Sequence, residues 1–209
     1  MEQFSDDFRA GLHGLMKWRR DARHFKTEPF PPHILQIYLA SLALAPFFGL
    51  SEPWCVLRIS SPSARQRAPG NFRAANARAL TGYSGEQAQL CASLKLSGMI
   101  GAPEQLTIFC DDATIEGLGL GASSMPEMRR YSVAGAITLM WLTARAHGSV
   151  LGWVSVLNPA QLPRDLDAPP DWTFVAYLCL GSPNEISLTP KLETKGRETR
   201  AIQLQIETR

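Results

Sequence analysis

No apolar run in this chain of 209 residues approaches the ~18 needed to cross a membrane, because the richest stretch, Leu139 to Trp153, is broken by Arg145 and His147. The segment Met1 to Trp18 carries Glu2, Asp6 and Asp7 and has no apolar h-region, so no secretory signal is expected and a cytoplasmic protein is. Cysteine is scarce. Cys55, Cys91, Cys110 and Cys179 form no C-x-x-C pair and each sits among apolar neighbours, which predicts buried, reduced thiols. His13, His24, His33 and His147 share no metal-ligand spacing, so no metal is expected. Lys and Arg number 21 against 19 Asp and Glu, a net charge of +2 that does not mark a nucleic-acid or membrane-surface binder. A dinucleotide fingerprint is also missing, since Gly117-Leu118-Gly119-Leu120-Gly121 follows an acidic loop with the wrong spacing.

What is present is a globular composition, 45% hydrophobic and 19% charged, of a length suited to one domain spanning 1–209. Helix signals run from Ser5 to Arg20, with Ser5 or Asp6 as N-cap and Phe8, Leu12, Leu15 and Met16 on one face, and from His33 to Ala45, ended by Pro46. Trp54 to Ile59, Gln105 to Cys110 and Phe174 to Leu180 read as strands. Ser60 to Gly70, with two prolines, reads as a loop, and Asn71 to Leu96 as a helix interrupted at Thr81 to Gly85. Met125 to His147 carries a wide apolar stripe of Val133, Ala136, Ile137, Met140, Trp141 and Ala144, which predicts a buried central helix. Strands and helices without regular alternation indicate an α+β domain, followed by a polar tail from about residue 184.

The densest chemical feature is Lys17-Trp18-Arg19-Arg20-Asp21-Ala22-Arg23-His24-Phe25. Guanidinium forks suit phosphate because they bind two oxygens at once and never lose charge. A basic last turn opposing the helix dipole explains the same residues without any ligand. In Gly148 to Pro159, Gly152 permits close backbone approach to a flat ligand, or serves only as a helix-to-strand connection. Ser155 in that segment has no adjacent base and no Gly-x-Ser-x-Gly around it, which argues against a hydrolase nucleophile.

Taken together, RRDARHF (Arg19 to Phe25), APFFGLSEPW (Ala45 to Trp54), LKLSGMIGAPEQLTIFCD (Leu94 to Asp111), MPEMRRYSVAGAI (Met125 to Ile137), ARAHGSVLGWVSVLNP (Ala144 to Pro159) and FVAYLCLGSP (Phe174 to Pro183) resemble the 5,6-dimethylbenzimidazole synthases of the nitroreductase-like flavoprotein superfamily. The likeness runs in order from about Lys17 to about Arg200. It implies a nitroreductase-like FMN-binding sandwich, an interlocked homodimer with the flavin at the subunit interface and the tail wrapping the partner. It also implies that reduced FMN is substrate, reacting with O2 to give 5,6-dimethylbenzimidazole and erythrose 4-phosphate, with NAD(P)H acting indirectly through a separate flavin reductase.

By the same resemblance Arg19, Arg20, Arg23 and Arg200 match phosphate and ribityl contacts, and Ser51 and Lys95 complete the flavin-binding set. Asp21 matches an acid near the flavin that moves protons during fragmentation, a role suited to a partly buried carboxylate of raised pKa. Ser155 matches a polar residue that orients an oxygenated intermediate, while Gly152, Trp153 and Val154 lie against the ring. Leu94 to Gly101 resembles a lid that excludes water. The chain departs from the family at Phe47, where a small polar residue is usual, at Ala43 and Leu44, where histidines are, and at Ser97, Ile100 and Gly101 in the lid. A nitroreductase that retains FMN as cofactor and a non-catalytic flavin-binding protein are the alternatives.

Overall fold

The computed structural model describes residues 3–80, 96–116, 123–189, 193 and 204–209. Helix α1 (Asp6–Trp18) starts as expected at Ser5, whose Oγ accepts from the Phe8 N–H at 3.2 Å. Its apolar face is not buried, with Phe8, Leu12 and Met16 all exposed. Helix α2 (Pro32–Ala40) is shorter than the sequence predicts because the chain tightens into a 3-10 turn over Ser41–Leu44. Strand β1 (Trp54–Arg58) follows.

The expected loop from Ser60 to Gly70 is instead the first half of helix α3 (Pro62–Leu80). Pro62 occupies the first helical position, where a missing N–H costs nothing, and Ser61 Oγ caps the Ala64 N–H at 3.2 Å. Pro69 removes one internal hydrogen bond, but Ala68 and Phe72 on either side are fully buried, and that tertiary packing overrides the local signal. Residues 81–95, which hold the expected interruption, Cys91 and Lys95, lie outside the described residues.

Strand β2 (Glu104–Asp111), helix α4 (Met128–Ala146), strand β3 (Val150–Val154), the single turn α5 (Leu162–Asp165) and strand β4 (Trp172–Gly181) complete the domain. Gly148, at φ 79°, ends α4 in a Schellman motif, with Ser149 N–H donating to the Ala144 carbonyl at 2.9 Å and Gly148 N–H to Arg145 at 3.0 Å. The chain then enters β3 at once, so the segment read as a connection holds a strand, and Gly152 lies inside it.

The sheet is antiparallel throughout, in the order β1-β2-β4-β3, which leaves β3 at one edge. Alternate side chains of the inner strands go to opposite faces. Leu106, Ile108, Cys110, Ala176, Leu178 and Leu180 pack with Leu35, Tyr38 and the α4 stripe of Val133, Ala136, Ile137 and Met140. Tyr177 and Cys179 meet Phe72 of α3, Met99 and Leu162 on the other face. Both faces are covered by helices, and the expected α+β sandwich is the observed one. Among the described residues no helix is long and apolar enough to cross a membrane, and no group of His, Cys, Asp and Glu could hold a metal.

Candidate active site

Arg19 ends α1, its N–H bonded to the Leu15 carbonyl at 2.9 Å. From there residues 21–25 form a strap that begins on the open edge of β3 and ends on the chain just after β4. Asp21 forms a parallel bridge with Leu151, Ala22 N–H donates to the Leu151 carbonyl at 3.0 Å, and Phe25 bridges to Pro183. An edge strand leaves outward N–H groups without ladder partners. The Trp153 N–H instead donates to Asp21 Oδ1 at 2.8 Å, so a side chain extends the pairing that the strap begins.

The second oxygen of Asp21 lies 3.7 Å from Arg23 Nε, in a pair whose aspartate side chain is 37% exposed and whose arginine is 12% exposed. The carboxylate is thus held from two sides, by the Trp153 amide and by the Arg23 guanidinium. Behind it, burial and the nearby Asp21 charge push the Cys179 thiol far up, keeping it neutral.

A cleft of about 270 Å3 opens beside the strap, lined by Trp18, Arg20, Asp21, Arg23, His24 and Arg145 and, from the chain after β4, by Glu185, Ile186 and Thr189. Four of these side chains are cationic or can become so. Arg20 also donates from Nε to the Leu188 carbonyl at 2.8 Å, tying that later segment to the strap. Trp18 contributes its ring, over which the Arg145 guanidinium sits at 5.3 Å.

The structure therefore brings Arg20, Asp21, Arg23, Gly152, Trp153 and Val154 together. Arg19 turns away, its guanidinium 4.8 Å from the centre of the Trp141 ring. Ser155 is exposed and directly follows β3, two residues beyond the amide that holds Asp21. Ser51 is buried ahead of β1 and lines neither the cleft nor the crevice behind Asp21. Lys95 and Arg200 lie outside the described residues. Arg145 and Glu185 also line the site. The only sequence signal for Arg145 was a charge interrupting the richest apolar stretch, and Glu185 had none.

The nitroreductase family model matches residues 16–182. A 5,6-dimethylbenzimidazole synthase of Rhodospirillum rubrum is 45% identical over 197 residues, covering 94% of this chain and 93% of that protein. One from Rhodobacter capsulatus is 44% identical over 193 residues, with 92% and 93% covered. Among solved structures, an iodotyrosine deiodinase bound to FMN and 3-iodo-L-tyrosine superposes with a TM-score of 0.74 at 16% identity, over 94% of this chain and 99% of that one. A nitroreductase with bound FMN from Desulfitobacterium hafniense gives 0.65 at 16% identity, over 91% and 97%. The chain belongs to the nitroreductase family and, within it, to the group of the 5,6-dimethylbenzimidazole synthases.

Proposed function

We propose that the protein fragments reduced FMN in an O2-dependent reaction that yields 5,6-dimethylbenzimidazole and erythrose 4-phosphate. The observation that carries this reading is the Asp21 carboxylate, held at one oxygen by the Trp153 N–H and paired with Arg23 of the same strap, in a chain 45% identical to a synthase of that name. The donor set fits a phosphate ester: Arg20, Arg23, His24 and Arg145 line the cleft and offer forked and single donors to an anion.

Reduced FMN supplies both the electrons for O2 and the carbon skeleton of the product. Arg20 and Arg23 would hold its phosphate and ribityl chain, with Arg200 and Lys95 as further contacts; Arg19, stacked on Trp141, and Ser51, outside the cleft, take no part in the set. The backbone of Gly152, Trp153 and Val154 would border the ring, with the Cα of Gly152 turned to the strap. Asp21, anchored through Oδ1 on the Trp153 amide and paired with Arg23, would take and return protons during fragmentation. Ser155 would offer its hydroxyl as a hydrogen-bonding group beside the flavin. The segment before β2 excludes water, and its root is docked on the strap through Ser97 Oγ, which donates to the Arg23 carbonyl at 3.3 Å.

The working enzyme is a cytoplasmic homodimer, with the flavin at the interface and the tail reaching the partner. The exposed Phe8, Leu12 and Met16 of α1, and Leu204 and Ile206 near the C-terminus, supply apolar surface for that contact. NAD(P)H acts through a separate flavin reductase. The test is to supply the protein with reduced FMN in air and follow flavin absorbance for the parent, Asp21→Asn and Ser155→Ala. Irreversible loss in the parent and slowed loss in both variants is expected; flavin that survives repeated turnover in the parent places the protein with the nitroreductases that retain it.

A further inference from the structure

Three glycines on three separate elements press against the strap that carries Asp21. A Cβ at Gly152 of β3 would lie 2.1 Å from the Ala22 carbonyl oxygen and 3.4 Å from Phe25 Cζ. One at Gly181, closing β4, would lie 3.0 Å from Phe25 Cβ and 2.9 Å from Pro103 Cδ. One at Gly98, in the helical residues 96–101, would lie 3.3 Å from the Arg23 carbonyl oxygen and 3.4 Å from Phe25 Cε2. None of the three has a positive φ, so the absence of a side chain, and not backbone conformation, is what the position uses. A carbonyl belonging to the backbone cannot swing aside as a flexible side chain would.

We infer that Gly98, Gly152 and Gly181 are positioning residues, which together clamp residues 21–25 against the sheet edge and so hold the Asp21 carboxylate on the Trp153 amide. The inference rests on the proposed proton-transfer role of Asp21 only for its effect on catalysis; the clamp itself is a property of the flavin-free protein. It also changes the meaning of Gly152. Its missing Cβ faces the strap, with only about 10 Å3 free in the crevice between them, and the close approach it permits is that of the protein's own backbone.

The experiment uses the full chain and two readouts. Without flavin, hydrogen exchange of the Trp153 amide reports whether Asp21 still accepts its bond. Exchange is expected to be faster by about tenfold in Gly152→Ala and in Asp21→Ala, in proteins that remain folded by circular dichroism. With reduced FMN and air, the expected result is a kcat for flavin loss in Gly152→Ala reduced towards that of Asp21→Asn, with KM and the affinity for oxidised FMN within about threefold of the parent. The double variant Asp21→Asn/Gly152→Ala is expected to be no slower than the slower single variant, since both act on one carboxylate. Unchanged protection at Trp153, or losses that multiply in the double variant, overturns the clamp. A parental rate in Asp21→Asn overturns the role of Asp21 instead, while the exchange result still judges the clamp. Should Gly152→Ala fail to fold, Gly98→Ala, which requires a displacement of only a few tenths of an ångström, is expected to shift both readouts in the same direction by less, and no shift there is equally contrary.

Discussion

Asp21 and Trp153 stand 132 positions apart in sequence and are joined by one hydrogen bond, from the Trp153 N–H to Asp21 Oδ1 at 2.8 Å. Through it the strap of residues 21–25 becomes a side-chain extension of the sheet. The carboxylate of the strap is thereby set at the edge of a rigid element, where a catalytic group is held more closely than on a free loop.

Beneath the site, Tyr177 Oη donates to Gln105 Oε1 at 2.5 Å, and Gln105 Nε2 donates to the Met99 carbonyl at 2.6 Å, in a fully buried network that anchors the segment before β2. Tyr177→Phe leaves the Gln105 oxygen buried without a donor. The expected cost is about 1–3 kcal/mol, read as a lower urea midpoint with an unchanged m-value. A midpoint equal to the parent's would mean that the network contributes no net stability.

Asp112 links β2 to β4 and α4, accepting from Thr173 Oγ1 at 2.7 Å and pairing with Arg130. Burial works against its ionisation, but hydrogen bonds from Arg130, Thr173 and Cys110 outweigh it and hold the carboxyl below its ordinary value. A depressed folded-state pKa stabilises the protein above the unfolded value near 4 and loses that contribution as pH falls through the folded one. The Tm gap between the parent and Asp112→Asn should therefore be full at neutral pH and shrink below about pH 4. A gap independent of pH would contradict the assignment.

Burial, helped by the hydrogen bond and charge of Asp112, pushes the Cys110 thiol up to about 12, and Cys179 higher still through burial and Asp21. Thiolate is the reactive form, so neither residue should be alkylated in the folded protein at about pH 8, and both should be alkylated in urea. Peptide mass mapping after iodoacetamide reads this directly; modification of Cys110 or Cys179 before unfolding would show that the sheet opens.

Much of the fold was legible because some elements carry their own signals. Ser5 caps α1 as its side chain predicts, and the α4 stripe from Val133 to Ala144 is buried residue by residue. Strands β2 and β4 are covered on both faces and so read as apolar runs. Structure departs from the local signals where tertiary contacts decide. Pro62 and Pro69 signal a loop, yet the helix persists because Ser61 caps it, Phe72 is buried, and Arg65 binds the Ile59 and Ala102 carbonyls at 3.0 and 3.1 Å. Gly152 hid β3, since the strap that demands a glycine there lies far away in sequence. The strap itself announced its basic residues, whereas Arg145 and the two other clamp glycines join it only through folding.

The most direct measurement is product analysis by mass spectrometry after the purified protein is given FMN, a flavin reductase, NADH and air. The account predicts 5,6-dimethylbenzimidazole accumulating in proportion to the flavin lost, with none formed when O2 is removed and far less formed by Asp21→Asn. Flavin recovered intact after many cycles of reduction, with no benzimidazole in the mixture, would contradict it.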